Sequence, residues 1–516
     1  MRHFVTAKGR GVQSMSQPGH EQVTSVDVLV VGSGPVGAAY ARIVLEAVPT
    51  ATVLMVDRGP ALTDVPGMNL KNLLKNGAMA DLSAPELIPV VPPAALARSG
   101  TELIDPRGPR PGHMPAAAVS TNVGGMGAHW SCATPTPGDD ERGSVVGEFE
   151  WEELLRAATG LLHSSTQAFG ASARGAAMIE LLASSFDGML DRPVQVMPHA
   201  CERLADGRLS WTGTDTVLGP LVAGTEHFTL RPDTLCRRVE VVAGRVVGAE
   251  LVDVRTGREE RVVTRAVVVA GDSLRTPQLL WASGVRPAAL GRYLNEHSMV
   301  GATVVLSDKT MQRAQEIGPD AAADDFASDP LAAVWLPYAR STHRFSGQIN
   351  TSPGSPAGFA VDGLDGVPAS RIVSLTWFCP KQPREEDRIE FLEQLGADGM
   401  PIPDITYSLS VEDERVVGEA IDLTTQAGMA IGTFVIGEEP ALLADGQSLH
   451  YMGTVRMGQV DDGTSVCDGY SRVWGVDGLY VGGNGVIPTA TACNPTLTSV
   501  ALAVRGARQL ASELLG

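Results

Sequence analysis

Two hydrophobic rhythms alternate along this chain. Val26–Val31 is apolar except for Asp27, the pattern of a strand buried on both faces. It runs into Gly32, Ser33, Gly34, Pro35, Val36 and Gly37, and the residues after it predict a helix from about Ala38. A second buried strand is predicted over Thr52–Val56. Helical spacing returns at Trp151–His163, where Trp151, Leu154, Leu155, Ala158 and Leu162 share a face, and again over Ala171–Phe186. From Phe228 the rhythm is that of strands: Arg238–Val242, Val246–Val254 and Glu259–Val263, with turns at Ala243–Gly244 and Thr256–Gly257. A continuous apolar strand, Ala266–Ala270, comes next. A helix is then predicted over Thr276–Ala282, with Pro277 in its first turn.

Met299 opens a strand-rich region that runs to about Leu409. Within it, Thr351–Pro368 is dense in Gly, Pro, Ser and Asp and reads as a loop, either a lid or plain surface. Asp64–Arg110 has no sustained period and reads as loops and short helices. Val411–Gly428 predicts an amphipathic helix. Leu479–Gly483 predicts a short strand, and Leu497–Leu515 a long helix with Asn494 as its N-cap and Pro495 near its first position. Together these elements predict an α/β fold, a Rossmann-like nucleotide-binding domain with a second α+β domain on a large sheet.

The chain has 516 residues, long enough for two domains. Hydrophobic residues make up 44% and charged residues 19%, as in a soluble globular protein. The net charge of −19 argues against nucleic acid or an anionic membrane as partner. No apolar run approaches the roughly 20 residues that span a bilayer. Residues 1–24 are polar, lack the apolar centre of a secretory signal and read as a disordered lead-in, with Met15 as an alternative start. Cys132, Cys201, Cys236, Cys379, Cys467 and Cys493 show no metal-ligand spacing, and the histidines form no HxxxH pair, so no metal site is expected. A cytoplasmic enzyme with buried free thiols is the expectation.

The chemistry starts at the first glycines. Gly32, Gly34 and Gly37 stand in GxGxxG spacing between a strand and a helix. Gly32 permits the turn, Gly34 lets backbone approach a pyrophosphate, and Gly37 lets helix and strand pack closely. Asp57 closes the second strand, at the distance expected of an acid that holds a ribose hydroxyl. Gly124 and Gly125 permit another close backbone approach, and His129 and Trp130 beside them point to a ring-lined pocket, or to an ordinary core loop.

A second Gly-rich strand-to-helix passage, Val481–Thr498, lies far from the first. This split arrangement resembles the glucose–methanol–choline (GMC) oxidoreductases. Ala270-Gly271, Thr276–Leu280 and Ser283–Val285 are similar to that family's second signature, and Leu290–His297 to its GxxLxxH element. Gly124–Pro135, Trp377–Pro383 with Gly399–Pro403, Leu449–Gly458, and Ile487–Ala490 with Asn494–Thr498 resemble pyranose oxidases and their bacterial relatives that oxidise glycosides at carbon 3.

The resemblance implies FAD as cofactor, with contacts at Gly32, Gly34, Gly37, Asp57, Gly124, Gly125, Met126, His129, Trp130, Cys236, Asn484, Gly485, Pro495 and Thr496. It implies an FAD-binding domain over 25–150, 226–300 and 440–516, and a substrate-binding domain over 151–225 and 301–439. His450 and Asn494 are the implied catalytic pair, and Gln348 a sugar contact. A covalent link from His129 to the flavin is left open. The implied reaction is oxidation of a ring hydroxyl, at carbon 3 or carbon 2, of a pyranose or glycoside, with oxygen or a quinone as acceptor. The acid that follows Gln348 in pyranose oxidases is missing here, which favours glycosides over free glucose. His is suited to take the hydroxyl proton because its pKa lies near neutrality. Two roles are open for Asn494, helix cap or substrate contact. Rival readings on the same scaffold are oxidation of a sterol or choline, a hydroxynitrile lyase, and a flavoprotein without turnover.

Overall fold

The strands that read as apolar throughout are the ones with neighbours on both sides. In the computed structural model, which describes residues 24–73, 101–103, 113–323, 325–326, 328–351 and 366–516, Thr24–Val31 lies parallel to Val53–Val56 on one side and to Glu259–Val269 on the other. Phe228–Arg231 extends this parallel sheet beyond Val53–Val56, and Leu479–Val481 extends it beyond Val267–Val269. Leu29, Val30, Met55, Val56, Val267 and Val268 have no exposed surface. The lead-in, most of the 64–110 excursion and most of the 351–368 loop fall outside the described residues.

The two strands expected between 259 and 270 are one strand, Glu259–Val269. Its first half pairs antiparallel with Arg245–Asp253, and its last residues pair parallel with Leu479–Val481. The polar break at Thr264 and Arg265 that divided the pattern marks the change of neighbour. Thr264 Oγ1 donates there to the Asp27 carbonyl at 3.1 Å.

Helix starts also differ from expectation. The first helix is Pro35–Ala47, with Gly34 as N-cap and Pro35 at its first position, so it begins three residues early. The helix expected over Thr276–Ala282 is Asp272–Ala282. Asp272 Oδ1 accepts from the Leu274 and Arg275 amides at 2.6 and 3.0 Å, which caps a first turn that hydropathy does not reveal. Pro277 is therefore inside the helix. It has no N–H for the Ser273 carbonyl four residues back, and Thr454 Oγ1 donates to that carbonyl instead. The C-terminal helix, Thr496–Leu515, packs on Pro35–Ala47.

A second sheet is antiparallel, in the order Gly432–Phe434, Ser298–Leu306, Ile372–Cys379, Ser346–Asn350, Ala333–Leu336 and Gln195–Val196. Strict alternation divides its faces. Val300, Ala302, Val304, Val373, Leu375, Trp377, Ile349, Val334 and Leu336 face a core with Val416, Val417, Ala420 and Ile431 of the helix Val411–Ile431. The other face carries Gln348 and turns toward the segment around Asn494. No described helix is long and apolar enough to cross a membrane.

Two glycines of the first turn make a stability test. A Cβ at Gly37 would stand 2.1 Å from the Gly32 carbonyl oxygen, whereas one at Gly34 meets no protein atom nearer than 3.9 Å. Gly37→Ala is expected to cost about 1–3 kcal/mol, and Gly34→Ala little. Thermal unfolding of nucleotide-free protein compares them, and equal Tm values would contradict the packing.

Candidate active site

The glycine turn fits a dinucleotide on grounds internal to the structure. Gly32 adopts φ +103°, and a Cβ there would lie 2.3 Å from the Ala270 carbonyl oxygen. Gly32 and Gly37 are thus required by the protein itself. Gly34 is not: its backbone is extended, a Cβ would meet only the Gly124 carbonyl oxygen at 3.9 Å, and no side chain caps the helix in front of it. An uncapped helix N-terminus behind a bare glycine is a cradle for phosphate. Gly124 and Gly125, both with positive φ, close it from the other side, since a Cβ at Gly125 would touch Gly34 Cα at 3.4 Å. Asp57 is buried; Oδ2 accepts from Ser33 N and Oγ at 3.1 and 2.6 Å, and Oδ1 from Gly59 N at 3.0 Å. Asp57 therefore holds the glycine turn itself. Burial pushes its carboxyl up, against these donors.

Gln348, His450 and Asn494, far apart in sequence, meet at one point between the two sheets. Gln348 Nε2 donates to Asn494 Oδ1. Asn494 Nδ2 lies 3.5 Å from His450 Nε2, a long contact at the limit of hydrogen bonding. His450 Nδ1 is 3.0 Å from His297 Nδ1, and His297 Nε2 is 3.1 Å from Thr491 Oγ1, whose hydroxyl points at Met452 Sδ, 3.5 Å away. One assignment of hydrogens satisfies the whole chain. Thr491 donates to the sulfur and accepts from His297 Nε2–H. His297 Nδ1 then accepts from His450 Nδ1–H, which leaves a lone pair on His450 Nε2.

The Asn494 amide donates toward that lone pair, so both ends of the chain select the same tautomer. Phe378 packs on both imidazoles, with centroids 5.0 Å from His450 and 5.6 Å from His297. Burial holds the His450 imidazolium down to about pKa 3, and burial plus the His450 charge hold His297 well below its ordinary value.

The loops that carry this pair contain little regular structure, and each is held by a buried carboxylate. Glu141 Oε1 accepts from the Ala492 and Cys493 amides at 2.7 and 2.9 Å, and Oε2 from Gly138 N at 2.6 Å. Glu296 Oε2 accepts from Gly446 N at 2.6 Å, and Oε1 from Ser448 Oγ and Leu449 N at 2.7 and 3.2 Å. Leu449 sits at φ +59°, a conformation that a non-glycine residue holds only when its surroundings impose it. Burial pushes Glu296 up to about 8 against its three donors and raises Glu141 as well.

The expected cap at Asn494 is not formed. The helix N-cap is Pro495, in helical conformation and without a side-chain cap, and the Asn494 amide is committed to Gln348 and His450. Pro495 forces this by taking the junction position itself. Thr496 is the first helical residue, and Asn484 Oδ1 accepts from Ser499 Oγ in the same turn. Gly485 packs under Val455 and Thr454.

His129 Nε2 is 2.7 Å from Ser120 Oγ, and Met126 Sδ lies 3.8 Å from that hydroxyl. Burial, then the Lys71 charge, lower the His129 pKa to about 4. Trp130 is buried, with Nε1 donating to the Thr212 carbonyl at 2.9 Å. Cys236 is buried in the strand Thr234–Val242, near the Asp57 strand end, where Thr234 N donates to Asp57 O at 2.7 Å. All six cysteines are free and buried.

Thr491, Met452, Phe378, Glu141 and Glu296 were not singled out from the sequence. Glu141 ends the acidic run Asp139–Glu141, which reads as surface charge. Glu296 had a usable signal: an acid directly before the histidine of a motif, in a stretch that is otherwise apolar or turn-forming.

A parallel sheet with a glycine phosphate cradle, joined to an antiparallel sheet whose polar face meets a His–Asn pair, is the architecture of a flavin-type oxidoreductase. Residues 212–299 and 383–503 match the family models of GMC oxidoreductase. A C-glycoside 3-oxidase from Microbacterium trichothecenolyticum is 43% identical over 507 residues, covering 95% of this chain and 97% of the relative. A pyranose 2-oxidase from Tricholoma matsutake is 33% identical over 551 residues, covering 96% and 95%. The crystal structure of pyridoxine 4-oxidase from Mesorbium loti shares the fold, with a TM-score of 0.64 and 18% identity over 94% of this chain and 99% of that one. The chain belongs to the GMC oxidoreductase family, whose members are FAD-binding flavoproteins.

The buried pair has a direct spectroscopic consequence. A group whose folded pKa is depressed stays neutral until the pH falls to that value. His450 and His297 are therefore expected to show no titration between pH 5 and 8 in NMR spectra of histidine-labelled protein. A midpoint near the ordinary value of about 6.5 for either ring would overturn the assignment of both as dry, neutral imidazoles.

Proposed function

We propose that this protein is an FAD-dependent oxidase of glycosides, acting on a secondary ring hydroxyl at carbon 3, with carbon 2 as the alternative position. The observation that carries the reading is the convergence of His450, Asn494 and Gln348, with His450 Nε2 3.5 Å from the Asn494 amide nitrogen and that amide held by Gln348. The names of the relatives, C-glycoside 3-oxidase and pyranose 2-oxidase, support the same substrate class. The two sheets then correspond to an FAD-binding and a substrate-binding domain, and oxygen is the first choice of acceptor, with a quinone second.

In this reading the dinucleotide rests on Gly32, Gly34, Gly37, Asp57, Gly124 and Gly125, with Asn484, Gly485, Pro495 and Thr496 at its ring end. FAD, when bound, supplies the acceptor for the hydride from the substrate carbon. His450 is not the near-neutral base that its residue type suggests, since burial lowers it to about 3; its Nε2 takes the hydroxyl proton as the hydride departs and the oxygen becomes strongly acidic, and Asn494 Nδ2 donates to that oxygen and aligns it. Gln348 fixes the Asn494 amide from behind. His297 and Thr491 keep the His450 proton on Nδ1, so that Nε2 is the free base. The uncapped N-terminus of Thr496–Leu515 would supply positive potential to negative charge on the flavin.

His129 is read as a pocket residue with no bond to the flavin. Its Nε2 is already engaged by Ser120 Oγ at 2.7 Å. Acid precipitation of the yellow protein is therefore expected to leave all colour in the supernatant. Colour retained in the pellet, and released by His129→Ala, would reverse this.

The base is tested by anaerobic stopped-flow reduction with glucose and with an aryl glucoside. Wild-type flavin is expected to bleach with both, and at least as well with the glucoside. His450→Ala is expected to keep its FAD and to reduce it about 100- to 10,000-fold more slowly. A loss of about threefold or less, far below that range, would move the base elsewhere, with His297 the next candidate. Flavin that no sugar bleaches would remove the oxidase reading itself.

A further inference from the structure

The sheet face that carries Gln348 continues past it. Residues paired directly across strands share a face, and the register sorts this face into rows. Met299, Phe378 and Ser346 lie nearest the two imidazoles; Gly301, Thr376, Gln348 and Trp335 form the next row; Thr303, Ser374, Asn350 and Ala333 form the one beyond. Successive rows are about 7 Å apart, two residues along a strand. Near the imidazoles the polar groups are used: Ser346 Oγ accepts from Trp335 Nε1 at 3.1 Å, and Gln348 donates to Asn494.

Across from Gln348, at Thr376, and in the row beyond, they are not. Among the described residues, the side chains of Thr376, Ser374 and Asn350 have no hydrogen-bond partner, and all three are half-buried. Thr303 beside Ser374 is in the same condition, at 9% exposure. Across from Thr376, Gly301 has no side chain, and Leu443 closes in on it, with Cδ1 3.0 Å from where a Cβ would stand. The patch thus has unpaired donors and acceptors along one side and an apolar wall along the other.

We propose that Thr376, Ser374 and Asn350, with Thr303 at the far edge and Leu443 as wall, form a subsite for a hydroxylated ring attached to the ring being oxidised. The ligand chemistry is a second sugar or a polyhydroxylated aromatic aglycone. Its hydroxyls exchange water for these side chains, and its ring face lies on Leu443. Half-buried polar groups gain most from a partner that replaces water in place. The inference rests on the glycoside-oxidase reading and adds what lies beyond the reacting ring.

Four substrates test it with the FAD-loaded enzyme: glucose, phenyl glucoside, cellobiose and a trihydroxyphenyl C-glucoside. Asn350→Ala, Ser374→Ala and Thr376→Val are each expected to lower kcat/KM roughly three- to tenfold for cellobiose, the trihydroxyphenyl C-glucoside, or both. The loss lies mainly in KM, and glucose and phenyl glucoside change less than about twofold. The substrate that loses more identifies which ring the subsite serves. Variants are compared only at equal flavin content and Tm, and Asn350→Ser replaces the alanine variant if that fails to load flavin. Equal losses on all four substrates, or no loss on any, would overturn the subsite. Wild-type flavin unbleached by all four would instead defeat the oxidase reading on which it rests.

Discussion

A carboxylate withdrawn from water must be met by donors or give up its charge. That constraint, applied at Glu141 and Glu296, gives this site its shape. The segments bearing Asn494 and His450 cannot rely on ladder or helical bonds to fix them. Each is instead wrapped around a buried acid, which gathers two or three N–H and O–H groups from within four residues of the loop. The amides that the irregular backbone leaves unpaired satisfy the acid, and the acid satisfies the amides. Leu449 tolerates a left-handed conformation because Glu296 holds it there.

Between these two anchored loops runs a chain of hydrogen bonds with a single direction. Gln348, Asn494, His450, His297, Thr491 and Met452 each have one clear neighbour to donate to or accept from. Reversing one imidazole would set two donors or two acceptors face to face. In a pocket this dry such a mismatch is costly. The orientation of His450 is thus set by a strand of the second sheet and by three loops together, and no single neighbour determines it.

Much of this was legible in the sequence. The parallel strands declared themselves by unbroken apolar runs, and the glycines by their spacing between a strand and a helix. His450, Asn494 and Gln348 were reached through motifs rather than through periodicity. What stayed hidden has physical reasons. Hydropathy could not show that Glu259–Val269 is one strand, because the polar break at Thr264 reflects a change of partner and not a turn. Nor could it place the helix start at Asp272, where capping is done by one carboxylate and the proline defect is repaired by Thr454 from elsewhere in the chain. Asn494 carries the residue type of a cap, yet Pro495 occupies that position. Glu141 and Glu296 were unreadable as anchors because a buried acid and a surface acid look alike until the fold brings the donors.

The long strand Glu259–Val269 has a bearing on how the protein is made. Its hairpin partner, Arg245–Asp253, and its parallel neighbour, Thr24–Val31, leave the ribosome before it, but Leu479–Val481 leaves only after the whole antiparallel sheet has been translated. The same late segment brings Asn494, the Glu141-bound loop and the helix that covers Pro35–Ala47. During synthesis the glycine cradle therefore exists for some time with one flank of its sheet unpaired and one helix uncovered. Closing that edge joins residues distant in the chain, a step whose loop-closure entropy makes it slow. A nascent chain held at this stage already carries the glycine turn of Gly32–Gly37 but lacks Asn484, Asn494 and the helix behind them, so the two ends of this site enter the fold at different times.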